Sequence, residues 1–322
     1  MSGKRKIISY VVIFVLLAVL IFSVSQLFKG TSPTDDGVED DSESKTIERE
    51  GKKYFPRQDL KVFLLMGIDR SGPVEDSGFY RNEGEADMVV LAIFDETAKT
   101  YSLLCLNRDT MLKMPTLGLG GKYAGTTVGQ LALAHTYGGG LEDSCENTKT
   151  AVSDFLYGLE IDYYVSLNMD AVAVINDSVG GVTVNVTDEF PEGSGIPKGE
   201  VKLTGAQALT FVRARKDVGD QLNLSRMERQ KEYMKGFMRA LGEKLDSSES
   251  FLFRAYNDVS DLMVTDCSVD TLGSLANRYS DYQFREMLSL EGENSSESGY
   301  MEFHADEKML DDLIIRLFYE EK

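Results

Sequence analysis

The pattern of apolar and polar positions sets apart an N-terminal segment of the chain. Residues 7–28 are mostly apolar and carry no charged side chain, and they follow three basic residues within residues 1–6. Because about 20 apolar residues cross a bilayer as a helix, this pattern predicts a transmembrane helix at 7–28 after a cytoplasmic basic tail. A cleaved signal peptide is the alternative, since Ser23 and Ser25 offer small residues to a peptidase. Either interpretation places the remainder of the chain outside the cytoplasm.

A polar stretch follows this apolar segment. Residues 29–58 are rich in Asp, Glu and Ser and have few apolar positions. Such a composition buries too little apolar surface to fold, so it predicts an acidic extracellular tether. Residues 59–322 then form one extracellular domain, which is long enough to bury a large core.

Three short apolar runs open the predicted domain and are typical of buried strands. They are Val62–Met66, Met88–Phe94 and Tyr101–Leu106. Only residues 95–99 separate the second run from the third, which favours an antiparallel meander. In a meander, the end of the first strand, the start of the second and the end of the third share one edge of the sheet. A further strand between the first two is the alternative arrangement.

Helical and strand patterns alternate along the rest of the chain, which predicts an α/β fold. Predicted helices cover Thr127–Tyr137, Glu146–Leu156, Asp170–Val179, a short segment opened by the capping box Thr204–Gln207, a segment from Leu224 onwards, parts of Phe251–Tyr279, and Asp306–Tyr319. Predicted strands cover Tyr163–Leu167, Val182–Val186, Phe211–Arg215 and Gln283–Leu290, and residues 291–299 are predicted to form a polar loop.

Composition narrows the chemistry. The chain has 34 Lys+Arg against 53 Asp+Glu, a formal charge of −19, which argues against nucleic acid as a partner. Only two histidines and three cysteines are present, without a C-x-x-C pair, so zinc sites and His- or Cys-based catalysis are disfavoured. His135 is interpreted as a packed residue of its predicted helix. A disulfide between Cys105 and Cys145 is permitted in an exported domain, and one thiol stays free in either case.

The predicted strand ends carry four charged residues. Asp69 follows the first strand, Asp87 precedes the second, and Arg108 and Asp109 follow the third. In a meander these side chains converge at one edge of the sheet. Two converging carboxylates are the hard oxygen ligands that Mg²⁺ uses together with water and a substrate phosphate. The alternative is that such strand-end aspartates cap turns and neighbouring helices.

A basic cluster lies in this acidic chain. Seven basic and four acidic residues lie between Arg213 and Lys235, a local charge of +3. Arg213 and Arg215 share one face of a predicted strand, and one face of the following helix carries Arg226, Arg229, Gln230 and Tyr233. Because the guanidinium fork binds phosphate oxygens, the cluster predicts a pyrophosphate site. The alternative, in which Glu228 and Glu232 pair with neighbouring lysines on a solvated helix, does not explain the two strand arginines.

The ordered motifs resemble those of the LytR-CpsA-Psr family of the Gram-positive cell envelope. The motifs are Gly67-Ile68-Asp69, Ala86-Asp87, Asn107-Arg108-Asp109-Thr110, Ile161–Asn168, Val179–Val182, Leu203–Leu209, Val212–Arg215 and Arg226–Gln230. They run from about Lys61 to Leu241, and residues 242–322 would complete the same domain. The resemblance implies a single α/β domain with a mixed central sheet flanked by helices.

The resemblance also implies an activity. Members of the family move a glycopolymer, such as a teichoic acid or capsule, from a polyprenyl pyrophosphate carrier to peptidoglycan with Mg²⁺. By motif, Asp69 and Asp87 would hold the metal. The implied pyrophosphate ligands are Arg108, Arg213, Arg215, Arg226 and Gln230. Asp109 would orient the arginines or help to deprotonate the acceptor.

One position departs from the family pattern. Many members carry an arginine two residues before the second aspartate, where this chain has Glu85. The change puts catalysis in question while leaving the fold intact. The second hypothesis is therefore a non-catalytic protein that binds polyprenyl phosphate or wall polymer and regulates envelope assembly.

Overall fold

The computed structural model describes residues 46–76, 84–118, 122–214, 218, 223–247, 251–268, 271, 274–275, 278–279 and 281–321. The predicted transmembrane helix at 7–28 and the site residue Arg215 lie outside these ranges. Among the described residues, no helix is long and apolar enough to cross a bilayer.

The described residues form a mixed α/β structure. The strands are β1 (Ile47–Arg49), β2 (Lys52–Pro56), β3 (Leu60–Ile68), β4 (Ala86–Asp95), β5 (Thr100–Leu106), β6 (Met111–Leu117), β7 (Tyr123–Gln130), β8 (Tyr163–Asn168), β9 (Val182–Val186), β10 (Gly199–Leu203), β11 (Met263–Thr265), β12 (Gln283–Ser289), β13 (Gly292–Ser295), β14 (Glu302–Ala305) and β15 (Tyr319–Glu321). The helices are α1 (Glu142–Phe155), α2 (Asp170–Ser178), α3 (Gly205–Arg213), α4 (Asn223–Ser247), α5 (Phe251–Val259) and α6 (Glu307–Phe318), with 3₁₀ helices at Leu131–Tyr137 and Ser260–Leu262.

The central sheet confirms the predicted meander. Its six strands lie in the order β11-β8-β3-β4-β5-β12. β3 pairs directly with β4 and β4 with β5, both antiparallel, and Leu64, Leu91 and Leu104 face one another across the three strands. β8 pairs parallel to β3, and β12 pairs parallel to β5, so the sheet is mixed. The polar ends of β3, β4 and β5 therefore meet at one edge.

The two faces of the sheet are covered by different helices because successive side chains of a strand point to opposite faces. On one face Leu64 and Met66 belong to a cluster that includes Val152 of α1 and Ile314 of α6. On the other face, Phe63 packs in a cluster with residues of α2 and α5. Each fully buried leucine or phenylalanine contributes roughly 2 kcal/mol to folding, so this core fixes the register of the sheet.

Beside the sheet, a third cluster joins β9, β10, α3 and α4. Val182 and Val184 of β9 pack with Phe211 of α3 and Phe237 of α4. The capping box that was predicted for α3 is present, with Thr204 and Gln207 bonding each other's backbone N–H groups. This cluster holds α3 and α4 next to the polar edge of the sheet.

The strand predicted at Phe211–Arg215 is wrong. Phe211, Val212 and Arg213 form the last turn of α3, and Ala208, Phe211 and Val212 bury one face of that helix. A run of five residues fits a strand or a helix equally well, and here the cap at Thr204 extends the helical pattern through it. Arg213 consequently sits at a helix C-terminus.

Three other predictions need correction. The predicted helix at Thr127–Tyr137 is helical only from Leu131, because its β-branched first residues belong to β7, which pairs with β6. The predicted tether to residue 58 contains β1 and β2, which form a sheet with β15 from the other end of the chain. The polar loop predicted at residues 291–299 contains β13, which pairs with β14.

The three cysteines are free, so the Cys105–Cys145 disulfide is not formed. Cys145 and Cys267 are buried, and Cys105 is partly exposed. Burial raises the pKa of the Cys105 thiol to about 11, which keeps it in the unreactive protonated form.

Candidate functional site

The polar edge of the central sheet brings the predicted carboxylates together. Asp69 lies in the bend after β3, and its N–H donates to the carbonyl of Glu85 at 2.9 Å. Asp87 is the second residue of β4, and Arg108 and Asp109 are the second and third residues after β5. The antiparallel register pairs Ile68 with Ala86, so Asp69 lies opposite Glu85, and Asp87 falls at the bulge in β4 opposite Gly67 and Ile68.

Arg108 lies among three carboxylates. Its Nη1 pairs with Asp87, and its Nη2 pairs with Glu85. Its Nε lies 3.3 Å from Oδ1 of Asp109, which is fully buried. Acidic partners therefore lie against all three nitrogens of the guanidinium, which fixes its position within the edge of the sheet.

Arg226 reaches the same cluster from the first turn of α4. Its Nη1 lies 3.0 Å from Oδ2 of Asp87, so one carboxylate bridges two guanidinium groups. Both Arg226 and Asp87 are buried. We call Asp87, Arg108, Asp109 and Arg226 the inner cluster.

Arg213 and Asp69 make a second, more open ion pair. Nη2 of Arg213 lies 2.6 Å from Oδ1 of Asp69, and their side chains are 48% and 35% exposed. We call these two residues the rim pair. They lie at the same end of the sheet as the inner cluster, and their exposure leaves the guanidinium accessible to a ligand.

Gln230 lies between two cavities that are lined mostly by apolar side chains. The first, with about 450 Å³ of empty volume, lies between α4 and strands β4, β5 and β12, and it reaches Asp87 and Arg108. The second, with about 660 Å³, lies between α2, α3 and α4. Met88, Gln230 and Met234 line both cavities. An apolar space therefore begins at the charged edge of the sheet and continues beneath α4.

The carboxylates of the site are also of the donor type that binds a hard metal ion. Asp69 and Asp87 are hard oxygen donors on neighbouring strands, and Mg²⁺ commonly takes one or two carboxylates together with substrate phosphates and water. Each carboxylate oxygen has a second lone pair beyond the one directed at an arginine. No group of three or more His, Cys, Asp or Glu residues suited to a metal occurs in the described part of the chain.

Comparison with known proteins identifies the family. The model of the LytR_cpsA_psr family matches residues 22–318. The chain belongs to this family. It is 26% identical over 277 residues (85% of this chain and 82% of the relative) to the polyisoprenyl-teichoic acid–peptidoglycan teichoic acid transferase TagU of Bacillus subtilis. It is 28% identical over 288 residues (87% and 85%) to the protein of the same name from Enterococcus faecalis.

Solved structures share the fold of this LytR_cpsA_psr chain. The Streptococcus agalactiae protein gbs0355 superposes with a TM-score of 0.65 at 23% identity, covering 80% of this chain and 86% of that one. B. subtilis TagV gives a TM-score of 0.59 at 23% identity, covering 81% and 96%. A structure described as TagT bound to LI-WTA gives 0.58 at 22% identity, covering 81% and 90%. At these identities the likeness shows the fold alone.

Arg229 belongs to the predicted basic cluster, but in this LytR_cpsA_psr chain it contacts the end of α3 and Asp188. It is buried, its Nη1 pairs with Asp188 at 2.6 Å, and its Nε donates to the carbonyl of Phe211 at 3.2 Å. Its Nη2 donates to the carbonyl of Ala214. Arg229 thus holds the C-terminus of α3 on both sides of Arg213. The regular spacing of Arg226 and Arg229 was visible in the sequence, but their different partners were not.

Two further residues support the inner cluster from outside. Gln130 at the end of β7 donates from Nε2 to Asp109 at 3.1 Å and to the carbonyl of Met301 at 2.6 Å. His135 donates from Nδ1 to the carbonyl of Gly84 at 3.0 Å, next to Glu85. Burial lowers the pKa of His135 to about 4, so the ring is neutral at physiological pH. This confirms the interpretation of His135 as a packed residue.

Proposed function

We propose that the chain is a membrane-anchored phosphotransferase that moves a glycopolymer, such as a teichoic acid, from a polyprenyl pyrophosphate carrier to peptidoglycan. The observation that carries the proposal is that Arg108, at the charged edge of the sheet, also lines the mostly apolar cavity beneath α4. A polyprenyl pyrophosphate has the matching two parts, an anionic head and an apolar tail. The transferase names of the relatives from B. subtilis and E. faecalis support the same activity.

In the proposed reaction, a hydroxyl of peptidoglycan attacks the phosphorus next to the glycan. A new P–O bond forms to the acceptor, the bond to the carrier phosphate breaks, polyprenyl phosphate leaves, and the hydroxyl proton is released to water. Phosphoryl transfer needs positioning and charge stabilisation more than covalent catalysis by the protein. Arg108, Arg213 and Arg226 supply that positive charge, and Arg215 and Gln230 complete the proposed pyrophosphate site.

The roles of the acidic residues follow from their burial. Asp109 is fully buried and lies against Nε of Arg108, which supports an orienting role over contact with the acceptor hydroxyl. Asp69 and Asp87 are the proposed Mg²⁺ ligands. When bound, Mg²⁺ would neutralise charge on the pyrophosphate. The more exposed Asp69 is the carboxylate that a ligand approaching the rim pair would meet first.

The proposed location is the outer face of the cell membrane. Residues 7–28 would anchor the chain as a single-pass helix, with residues 1–6 in the cytoplasm and the catalytic domain outside. This placement is required by the proposed substrates, because a lipid-linked polymer and peptidoglycan meet at that surface.

Transfer of a labelled polymer tests the proposal. The full chain in detergent is incubated with a lipid-linked glycan, peptidoglycan and MgCl₂, and polymer bound to peptidoglycan is measured. We expect transfer by the wild type, loss with Arg213→Ala, and no change with Glu321→Gln, which alters an exposed ion pair with Lys52 instead.

The second candidate is a non-catalytic binder of polyprenyl phosphate or wall polymer with a regulatory role. The pairing of Glu85 with Arg108 favours it, because this carboxylate lowers the positive charge available to a pyrophosphate. Retained lipid binding without any transfer would select this candidate. Lipid binding that survives both Arg108→Ala and Arg213→Ala, with no transfer, would overturn the site itself.

A further inference from the structure

The three guanidinium nitrogens of Arg108 lie against carboxylates before any ligand arrives. Its Nη1, Nη2 and Nε face Asp87, Glu85 and Asp109 respectively. A guanidinium has five N–H groups, so these three contacts leave two of them, but a phosphate that takes the position of one of the carboxylates must displace it. The affinity of this arginine for an anion therefore depends on which of its three acidic partners is displaced.

The three partners differ in burial and in their other contacts. The side chains of Asp87 and Asp109 are 5% and 0% exposed, whereas that of Glu85 is 41% exposed. Asp87 is also held by Arg226, and Asp109 accepts a hydrogen bond from Gln130. Moving either buried carboxylate would strand a charge in the interior, while the Glu85 carboxylate can turn into water at small cost. Glu85 is thus the partner that a ligand can replace.

The backbone of Glu85 is held in place while its side chain faces solvent. Its carbonyl accepts the N–H of Asp69, and the carbonyl of the preceding Gly84 accepts Nδ1–H of His135. A rotation of the side chain alone therefore frees Nη2 of Arg108 and leaves the edge of the sheet unchanged.

We propose that Glu85 sets the affinity of the site for anions by competing with the ligand phosphate for Nη2 of Arg108. This inference rests on the proposed function, since it assumes that the arginines bind a pyrophosphate. In the free protein, the carboxylate neutralises Arg108. On binding, a phosphate oxygen takes its place at Nη2, and Glu85 turns outwards. The site therefore favours ligands whose negative charge is dense enough to displace the Glu85 carboxylate.

Titration with farnesyl pyrophosphate tests the inference. The full chain in detergent is titrated calorimetrically, as wild type and as Glu85→Gln, in one buffer containing MgCl₂. Because an ion pair of this exposure is worth up to about 1 kcal/mol, we expect Glu85→Gln to bind roughly three- to fivefold more tightly. Glu85→Ala, which removes the side chain, is expected to show the same gain. Thermal unfolding of each variant verifies that it is folded.

The matched control is Glu321→Gln, which makes the same change in charge at an exposed ion pair with Lys52 and is expected to leave the affinity unchanged. Equal or weaker binding by folded Glu85→Gln, with clear binding by the wild type, would overturn the inference alone. An equal gain in Glu321→Gln would also overturn it, because net charge would then explain the effect. Absence of binding in the wild type and in both Glu85 variants would overturn the pyrophosphate site, and the inference with it.

Discussion

The inner cluster and the rim pair contain the same two types of side chain, aspartate and arginine, but they differ in burial. In the inner cluster, Asp87 bridges Arg108 and Arg226, and all three residues are buried. In the rim pair, Asp69 and Arg213 meet at 2.6 Å but remain about one third to one half exposed. Removing one partner of a buried pair strands a charge, whereas an exposed pair contributes little to stability. The inner cluster therefore holds the sheet edge together, and the rim pair is free to serve a ligand.

The largest expected effect is on stability, from removing an arginine of the inner cluster. Arg226→Leu removes one of the two guanidinium groups that pair with the buried Asp87 carboxylate. We expect this change to lower the free energy of unfolding by about 3–5 kcal/mol. Urea denaturation of the full chain in detergent measures it. Arg239→Leu, at an exposed position of the same helix, is the matched control and should change stability by less than about 0.5 kcal/mol. Equal losses in the two variants would show that the buried arginine contributes no more to stability than the exposed one, which would contradict the role given to the inner cluster.

The second-largest expected effect is a pH-dependent loss of stability at His135, which hydrogen-bonds the backbone next to Glu85. The pKa of His135 is lowered to about 4 by burial, below its unfolded value of 6.5. Neutral His135 therefore stabilises the folded state fully above about pH 6.5, and this contribution is lost as the pH falls towards 4. From pH 7 to pH 5 we expect a loss of about 2 kcal/mol in the wild type.

His135→Asn keeps an N–H donor for Gly84 but does not titrate in this range. Urea denaturation at the two pH values should therefore show a smaller loss in this variant than in the wild type. Identical pH dependence in the two proteins would show that His135 does not carry the effect.

The smallest effect on stability is expected at the rim pair. Arg213→Ala removes an exposed ion pair and should lower the free energy of unfolding by at most about 1 kcal/mol. In the proposed reaction, transfer should nevertheless fall by about 100-fold, because a guanidinium proposed to stabilise charge on the pyrophosphate is lost. A loss of stability as large as that of Arg226→Leu, or an unchanged transfer rate, would contradict the division of roles between the two regions.

Local patterns predicted the parts of the site that follow from strand ends. Asp69, Asp87 and Arg108 were placed correctly because three apolar runs and one short turn define the meander. Arg213 was assigned to a strand, since the five residues Phe211–Arg215 are too short a segment to distinguish a strand from a helix; it lies at the end of α3, paired with Asp69. The sheet of β1, β2 and β15 joins residues at opposite ends of the chain, and no local pattern records such a pairing.

The sequence did not show which acidic residue each arginine would contact. Arg226 and Arg229 are three residues apart on one helix, yet one reaches Asp87 and the other Asp188. Glu85 was recognised as a departure from the family pattern, but its position on Arg108 depends on the register of β3 and β4 and on the turn after β5. Which charged groups meet is decided by packing around them, and that packing is a property of the whole domain.

The most direct test of the central claim maps where a lipid pyrophosphate binds. A photoreactive isoprenyl pyrophosphate, with the reactive group on its tail, is bound to the full chain in detergent, irradiated, and the attachment sites are found by mass spectrometry. The account predicts attachment to cavity residues beneath α4, such as Met234 and Met287, and loss of that attachment in Arg213→Ala. Attachment outside both cavities, or attachment unaffected by Arg213→Ala, would contradict it.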